Sequence, residues 1–106
     1  MGSTYKENIK LITEYYSGSS RVDLAIEEMA ELQKALLKYR RADRPELQVL
    51  RMRNIAEEIA DVQIMLDQLM KVYDCRDSVE RMIGYKIERQ LKRIERKEMI
   101  GKVLYE

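Results

Sequence analysis

Residues 21–41, RVDLAIEEMAELQKALLKYRR, and residues 45–73, PELQVLRMRNIAEEIADVQIMLDQLMKVY, decide the fold of this 106-residue chain. Both stretches are rich in Ala, Leu, Glu, Lys, Arg, Gln and Met, which give up little side-chain freedom in a helix. In the first, Leu24, Ala25, Leu32, Ala35, Leu36 and Tyr39 supply an apolar side at helical spacing. In the second, Leu50, Ile55, Ile59, Val62, Leu66, Leu69 and Tyr73 do the same. Between them stands Ala42-Asp43-Arg44-Pro45. A proline suits a first helical position because its missing N–H is not needed there and its φ is already helical. The spacing therefore predicts two long helices folded as an antiparallel hairpin about Arg44.

Working outward, Tyr5, Ile9, Ile12 and Tyr16 form an apolar stripe, which predicts a helix over about 4–16. Ser17-Gly18-Ser19-Ser20 breaks it, with Ser20 placed to cap the next helix and Asp23 in its first turn. On the other side, Asp74-Cys75-Arg76-Asp77 interrupts the pattern. A fourth helix is expected from about 78, carrying Val79, Met82, Ile83, Ile87, Leu91 and Ile94. The apolar tail 99–105 is expected to dock on a neighbour. One Pro and four Gly leave few breakers, and no stretch alternates as a strand does. The expectation is a single all-α domain over 1–106, a bundle of about four helices, with a core small enough that oligomerisation would complete it.

Composition narrows the function. The chain has no His and one cysteine, Cys75. That excludes Ser-His-Asp and Cys-His catalysis, His- or Cys-ligated zinc, the Glu-x-x-His di-iron bundles and any intrachain disulfide. Lys plus Arg number 20 against 19 Asp plus Glu, a net charge of +1, which argues against a nucleic-acid coat protein. No apolar run approaches the roughly 18 residues of a membrane span, and the first residues lack the apolar stretch of a signal peptide. A cytoplasmic location is the expectation. Chemistry has to rest on carboxylates, Lys, Arg, Tyr, Ser and bound metal.

The carboxylates form a pattern. Glu27-Glu28-Met29-Ala30-Glu31-Leu32 is echoed by Glu57-Glu58-Ile59-Ala60-Asp61-Val62. Residues three apart share a helix face, so Glu28 points with Glu31 and Glu58 with Asp61. Leu24, Leu32 and Ala35 flank the first pair; Ile55, Val62 and Met65 flank the second. In the hairpin both pairs lie roughly 20 Å from the turn, at 1.5 Å per residue, and face each other across one seam. A lone Glu-x-x-Glu is common on solvated helices. Two in register beside apolar stripes are not, because clustered carboxylates need a cation. An all-oxygen donor set calls for a hard divalent ion, Mg²⁺ or Mn²⁺.

With these residues the sequence resembles the MazG-like all-α nucleoside triphosphate pyrophosphohydrolases, whose signature is E-E-x-x-E, a spacer, then E-x-x-D. Here that is Glu27-Glu28-x-x-Glu31, 26 intervening residues, then Glu58-x-x-Asp61, within a likeness running from about 22 to 94. The resemblance implies that Glu28, Glu31, Glu58 and Asp61 ligate Mg²⁺. It implies that a (deoxy)nucleoside triphosphate is hydrolysed to monophosphate and pyrophosphate. It also implies a homo-oligomer, a tetramer ahead of a dimer, with sites near subunit interfaces. Lys86 matches the family's downstream lysine; Gln90 stands where the family has Asn. The phosphoribosyl-ATP pyrophosphohydrolases share the acidic pattern, but their Ser-Tyr-Thr-like N-terminal segment is absent here.

Lys86, Arg89, Arg93 and Arg96 form a basic stripe. Lys86, Arg89 and Arg93 are the candidates to hold substrate phosphates; Arg96 reads as surface, and a Glu88–Lys92 pair would mark a solvated face. With no His, a carboxylate or metal-bound hydroxide has to take the proton of the attacking water; Glu27 and Glu31 are the candidates. Tyr15, Tyr16 and Tyr85 can flank a base, although packing with a satisfied hydroxyl is the commoner role of tyrosine. Lys38, Arg40, Arg41, Arg44, Arg51 and Arg53 cluster around the hairpin turn, far from the acids, and suit solvent, an oligomer partner or weak nucleic-acid contact. The rival reading is a non-enzymatic helical interaction or regulatory module, which explains the stripes but gives no reason for four acids in register.

Overall fold

A computed structural model describes the backbone of residues 4–105 and the side chains of residues 4–101. Its elements are α1 (Tyr5–Tyr15), α2 (Gly18–Arg41), α3 (Pro45–Val72) and α4 (Arg76–Tyr105). No strand occurs among the described residues, so the chain is all-α, as the periodicities predict. Two compact units make it up: α1 to α3, ending at Asp74, and α4, beginning at Cys75. No helix among the described residues is long and apolar enough to cross a membrane.

The helix ends follow local chemistry. Thr4 caps α1 with a reciprocal pair: its hydroxyl accepts from the Glu7 N–H at 3.2 Å, and its own N–H donates to Glu7 Oε2 at 3.3 Å. That satisfies two of the donors a helix leaves unpaired. The cap of α2 is Ser17, not Ser20. Ser17 Oγ accepts from the Ser20 N–H at 3.3 Å, while Ser20 Oγ donates back to the Ser17 carbonyl at 2.8 Å. The helix therefore starts at Gly18, three residues before the expected Arg21. Pro45 opens α3 at its first position and the opening turns are regular. The third helix ends where Tyr73 N–H reaches the Leu69 carbonyl at 3.0 Å and Asp74 turns left-handed, φ 48°. The fourth begins at Arg76, two residues before the expected start, and runs on through Tyr105. Side chains of the apolar tail beyond residue 101 lie outside the described residues.

An antiparallel pair, α2 and α3, forms the centre of the first unit, and α1 packs on α3. Several contacts share one register. A Cβ built on Gly18 would meet Val72 Cγ1 at 3.4 Å, Arg21 Nη1 donates to Gln68 Oε1 at 3.4 Å, and Gln48 Nε2 donates to the Ala42 carbonyl at 3.3 Å beside the turn. Ala25, Ala35, Ala42, Met65 and Ile9 are buried. Small residues dominate because two long helices in close contact leave little room between their axes.

Several residues expected in the core are exposed: Tyr5, Ile12, Tyr16, Leu36, Leu50, Ile59, Leu66 and Tyr73. Each long helix is apolar over a wider arc than one partner covers. Buried polar side chains hold part of the interior instead. Gln68 is 2% exposed, and Thr13, Arg21 and Asp67 are buried with it. Thr13 Oγ1 donates to the Ile9 carbonyl at 2.6 Å, and the Tyr5 hydroxyl donates to Asp67 Oδ2, tying α1 to α3. Along α4, Met82, Ile83, Ile87, Leu91 and Ile94 are all exposed.

Candidate metal centre

Glu28 stands on α2 and Glu58 and Asp61 on α3, at the register the hairpin fixes. One carboxylate oxygen of each lies within 4.8 Å of the other two. Glu28 and Glu58 are half-buried and Asp61 is exposed. None makes an ion pair with Lys or Arg among the described residues. Glu58 Oε2 is buried without a hydrogen-bond partner. Such an oxygen is costly to leave unsatisfied. The Glu28 carboxyl is pushed above the usual carboxylate range, first by loss of solvent and then by the charges of Asp61, Glu58, Glu31 and Glu27. Like charges gathered beside it at a partly dry seam disfavour its ionised form.

Three of the four carboxylates in the resemblance's ligand set therefore converge. Glu31 lies outside that trio of oxygens. It is exposed and pairs with Lys34 at 3.4 Å, close enough to act on Glu28 through its charge. Glu27 is also exposed, on the flank of the cluster. The donor set fits a hard cation: three carboxylates, no nitrogen or sulfur, and an orphaned oxygen among them. Glu28, Glu58 and Asp61 are the residues that would hold it.

A cavity of about 360 Å³ adjoins the cluster. Glu28 and Asp61 line one end. Two helical turns away, Arg21 and Gln68 line the other, with Tyr16; Leu24, Ile64 and Met65 form the walls and Ile12 reaches in from α1. Arg21 stacks over the Tyr16 ring, 3.9 Å from its centroid. The sequence pattern puts Arg21 at the start of a helix and does not single out Gln68. The signal was there: Arg21 is seven residues before Glu28, and Gln68 seven after Asp61, so each shares its acid's helix face.

On α4, Lys86, Arg89 and Arg93 are exposed. Arg89 lies over the Tyr85 ring at 5.7 Å, and the Lys92–Glu88 pair that marks a solvated face is present at 3.3 Å. Tyr85, Glu88, Arg89, Lys92 and Arg96 line a shallow groove of about 150 Å³. At the hairpin turn, Arg44 pairs with Asp43 at 3.7 Å in the open. Compared with protein-family models, with curated proteins and with solved structures, the chain matches none.

Proposed function

We propose that this protein hydrolyses (deoxy)nucleoside triphosphates to monophosphate and pyrophosphate, with Mg²⁺ (or Mn²⁺) held by Glu28, Glu58 and Asp61. The observation that carries the reading is the convergence of these three carboxylates, one with an orphaned buried oxygen, at the mouth of a cavity of small-molecule size. A divalent ion there would offset phosphate charge and make bound water a stronger nucleophile. Water attacks phosphorus, the bridging P–O bond breaks and pyrophosphate leaves. Glu31 or Glu27, exposed beside the cluster, takes the water's proton. Lys86, Arg89 and Arg93 form a cationic stripe suited to polyphosphate oxygens. A cytoplasmic homo-oligomer, tetramer or dimer, belongs to the same reading. Its support is the exposed apolar face of α4, since contiguous uncovered apolar surface marks an interaction site.

That same face favours the second reading, a helical interaction module without catalysis, which leaves the carboxylate cluster without a purpose. Incubating the protein with mixed nucleotides and Mg²⁺, and assaying pyrophosphate against orthophosphate, separates the two. Pyrophosphate release that stops on chelation supports the enzyme. Diphosphate with orthophosphate overturns the bond assignment, and no turnover at all favours the module.

A further inference from the structure

Arg21 is an unusual cation. It is 8% exposed, and among the described residues no carboxylate pairs with it. A guanidinium carries five N–H donors. Those of Arg21 reach Gln68 Oε1 at 3.4 Å and Ser20 Oγ at 3.5 Å, both long for hydrogen bonds. One face of the group is covered by the Tyr16 ring at 3.9 Å. A buried charge with weak partners is unfavourable unless something else satisfies it, and the cavity opens against this group. Its natural occupant brings electron-rich acceptors to Arg21.

The corridor says which part of a ligand that is. Seven residues separate Arg21 from Glu28 and Asp61 from Gln68, about 10 Å of helix on each side. Leu24, Ile64 and Met65 wall the space between. A polyphosphate laid along it would put charge against hydrocarbon. A planar heterocycle fills it and leaves the phosphates at the acids. Gln68 does not compete for that heterocycle with its acceptor, because Oε1 is turned to Arg21 while Nε2 contacts Met65 Sδ at 3.6 Å. It is a positioning residue that holds the guanidinium.

Resting on the nucleotide reading above, we propose that Arg21 selects the base, favouring those with a carbonyl at the purine 6-position or the pyrimidine 4-position over those with an amino group there. A guanidinium only donates. Guanine offers it O6 and N7, and uracil and thymine offer O4, whereas adenine N6 and cytosine N4 present donors of their own. Donor facing donor in a buried site leaves both unpaired.

The test compares kcat/KM for GTP with ATP and for UTP with CTP, as ribo- and deoxynucleotides, on the wild type, Arg21→Met and Arg21→Lys. In parallel, calorimetry measures binding of guanosine, adenosine, uridine and cytidine, which carry no phosphate. Melting curves confirm that each variant is folded. The wild type is expected to prefer the keto member of each pair by about tenfold or more, the scale of leaving one buried donor unpaired in the amino member. Arg21→Met is expected to bring both ratios close to one, and Arg21→Lys to keep part of the preference. Equal turnover of keto and amino bases by the wild type overturns the inference and leaves the pyrophosphohydrolase reading standing. A uniform loss for every nucleotide in Arg21→Met also overturns it, by making Arg21 a phosphate anchor. No hydrolysis, with keto nucleosides still preferred and the preference lost in Arg21→Met, keeps the inference and removes the enzymatic reading. No hydrolysis and no discrimination among nucleosides overturns both.

Discussion

Glu58 is the residue at which the proposed function can be told apart from stability. Its Oε2 is buried without a partner, an unsatisfied polar atom that costs the metal-free fold. Glu58→Gln keeps the shape and removes one charge. The metal-free variant is expected to melt at the same temperature as the wild type or higher. Activity is expected to fall about 100-fold or more, since even residues that only orient metal ligands are worth 10- to 100-fold. Mg²⁺ at a hundred times its dissociation constant stabilises a specific site by about 2.7 kcal/mol, and Glu58→Gln should lose most of that shift. Glu88→Gln, which removes an exposed ion pair with Lys92, should leave both readouts unchanged. If Glu58→Gln unfolds the metal-free protein, the residue is a structural partner and the centre is misassigned.

Glu28 gives the same site a pH signature. Its carboxyl titrates above the usual range when folded, so the native state binds more protons than the unfolded chain in the interval between the two values. Stability of the metal-free protein therefore falls as pH rises from the ordinary carboxylate range through the raised folded value, and levels off above it. Mg²⁺ should flatten that slope by favouring the ionised form. Chemical denaturation across this interval, with Mg²⁺ or chelator, measures it; a metal-free slope of opposite sign would contradict the clustering of charge around Glu28.

At the scale of the element, the hairpin was legible because Leu, Ile and Val repeat over two long stretches and one proline divides them. The cap of α2 was not. Ser17, Ser19 and Ser20 are all good caps in isolation, and the choice fell to Ser17, where the chain turns out of α1. Ser17→Ala is expected to cost about 1 kcal/mol, read as a lower denaturant midpoint with unchanged slope. Asp74 marks the other end of the pair. It holds φ 48°, a conformation a β-branched side chain resists by about 1–2 kcal/mol. Asp74→Val should therefore destabilise the fold by that amount, and Asp74→Gly should match or exceed wild type. The acids were legible for the same reason as the hairpin. Register brought Glu28, Glu58 and Asp61 together, while Glu31 pairs with Lys34 along its own helix. Arg21 and Gln68 were missed because polar residues at helical spacing look like a solvated face until a second helix is laid over them.

For the whole molecule, the apolar residues of α4 are what the proposed assembly rests on. Ile87, Leu91 and Ile94 are exposed, and a helix draws most of its stability from packing such a face. Light scattering is expected to show a homo-oligomer at micromolar concentration. Leu91→Glu, which puts a charge into the middle of that stripe, should reduce its size; a stable wild-type monomer would refute the assembly.

The Tyr16–Arg21 stack also makes the pocket visible to light. The chain has no tryptophan, so tyrosines dominate its near-ultraviolet absorption. A guanidinium 3.9 Å from the Tyr16 centroid perturbs the electronic transition of that ring more than bulk water does, and an occupant that draws the cation away relaxes the perturbation. Ligand entry should then register as a small tyrosine difference spectrum in unlabelled protein. The Tyr16→Phe variant should lack that band while the other six tyrosines still absorb.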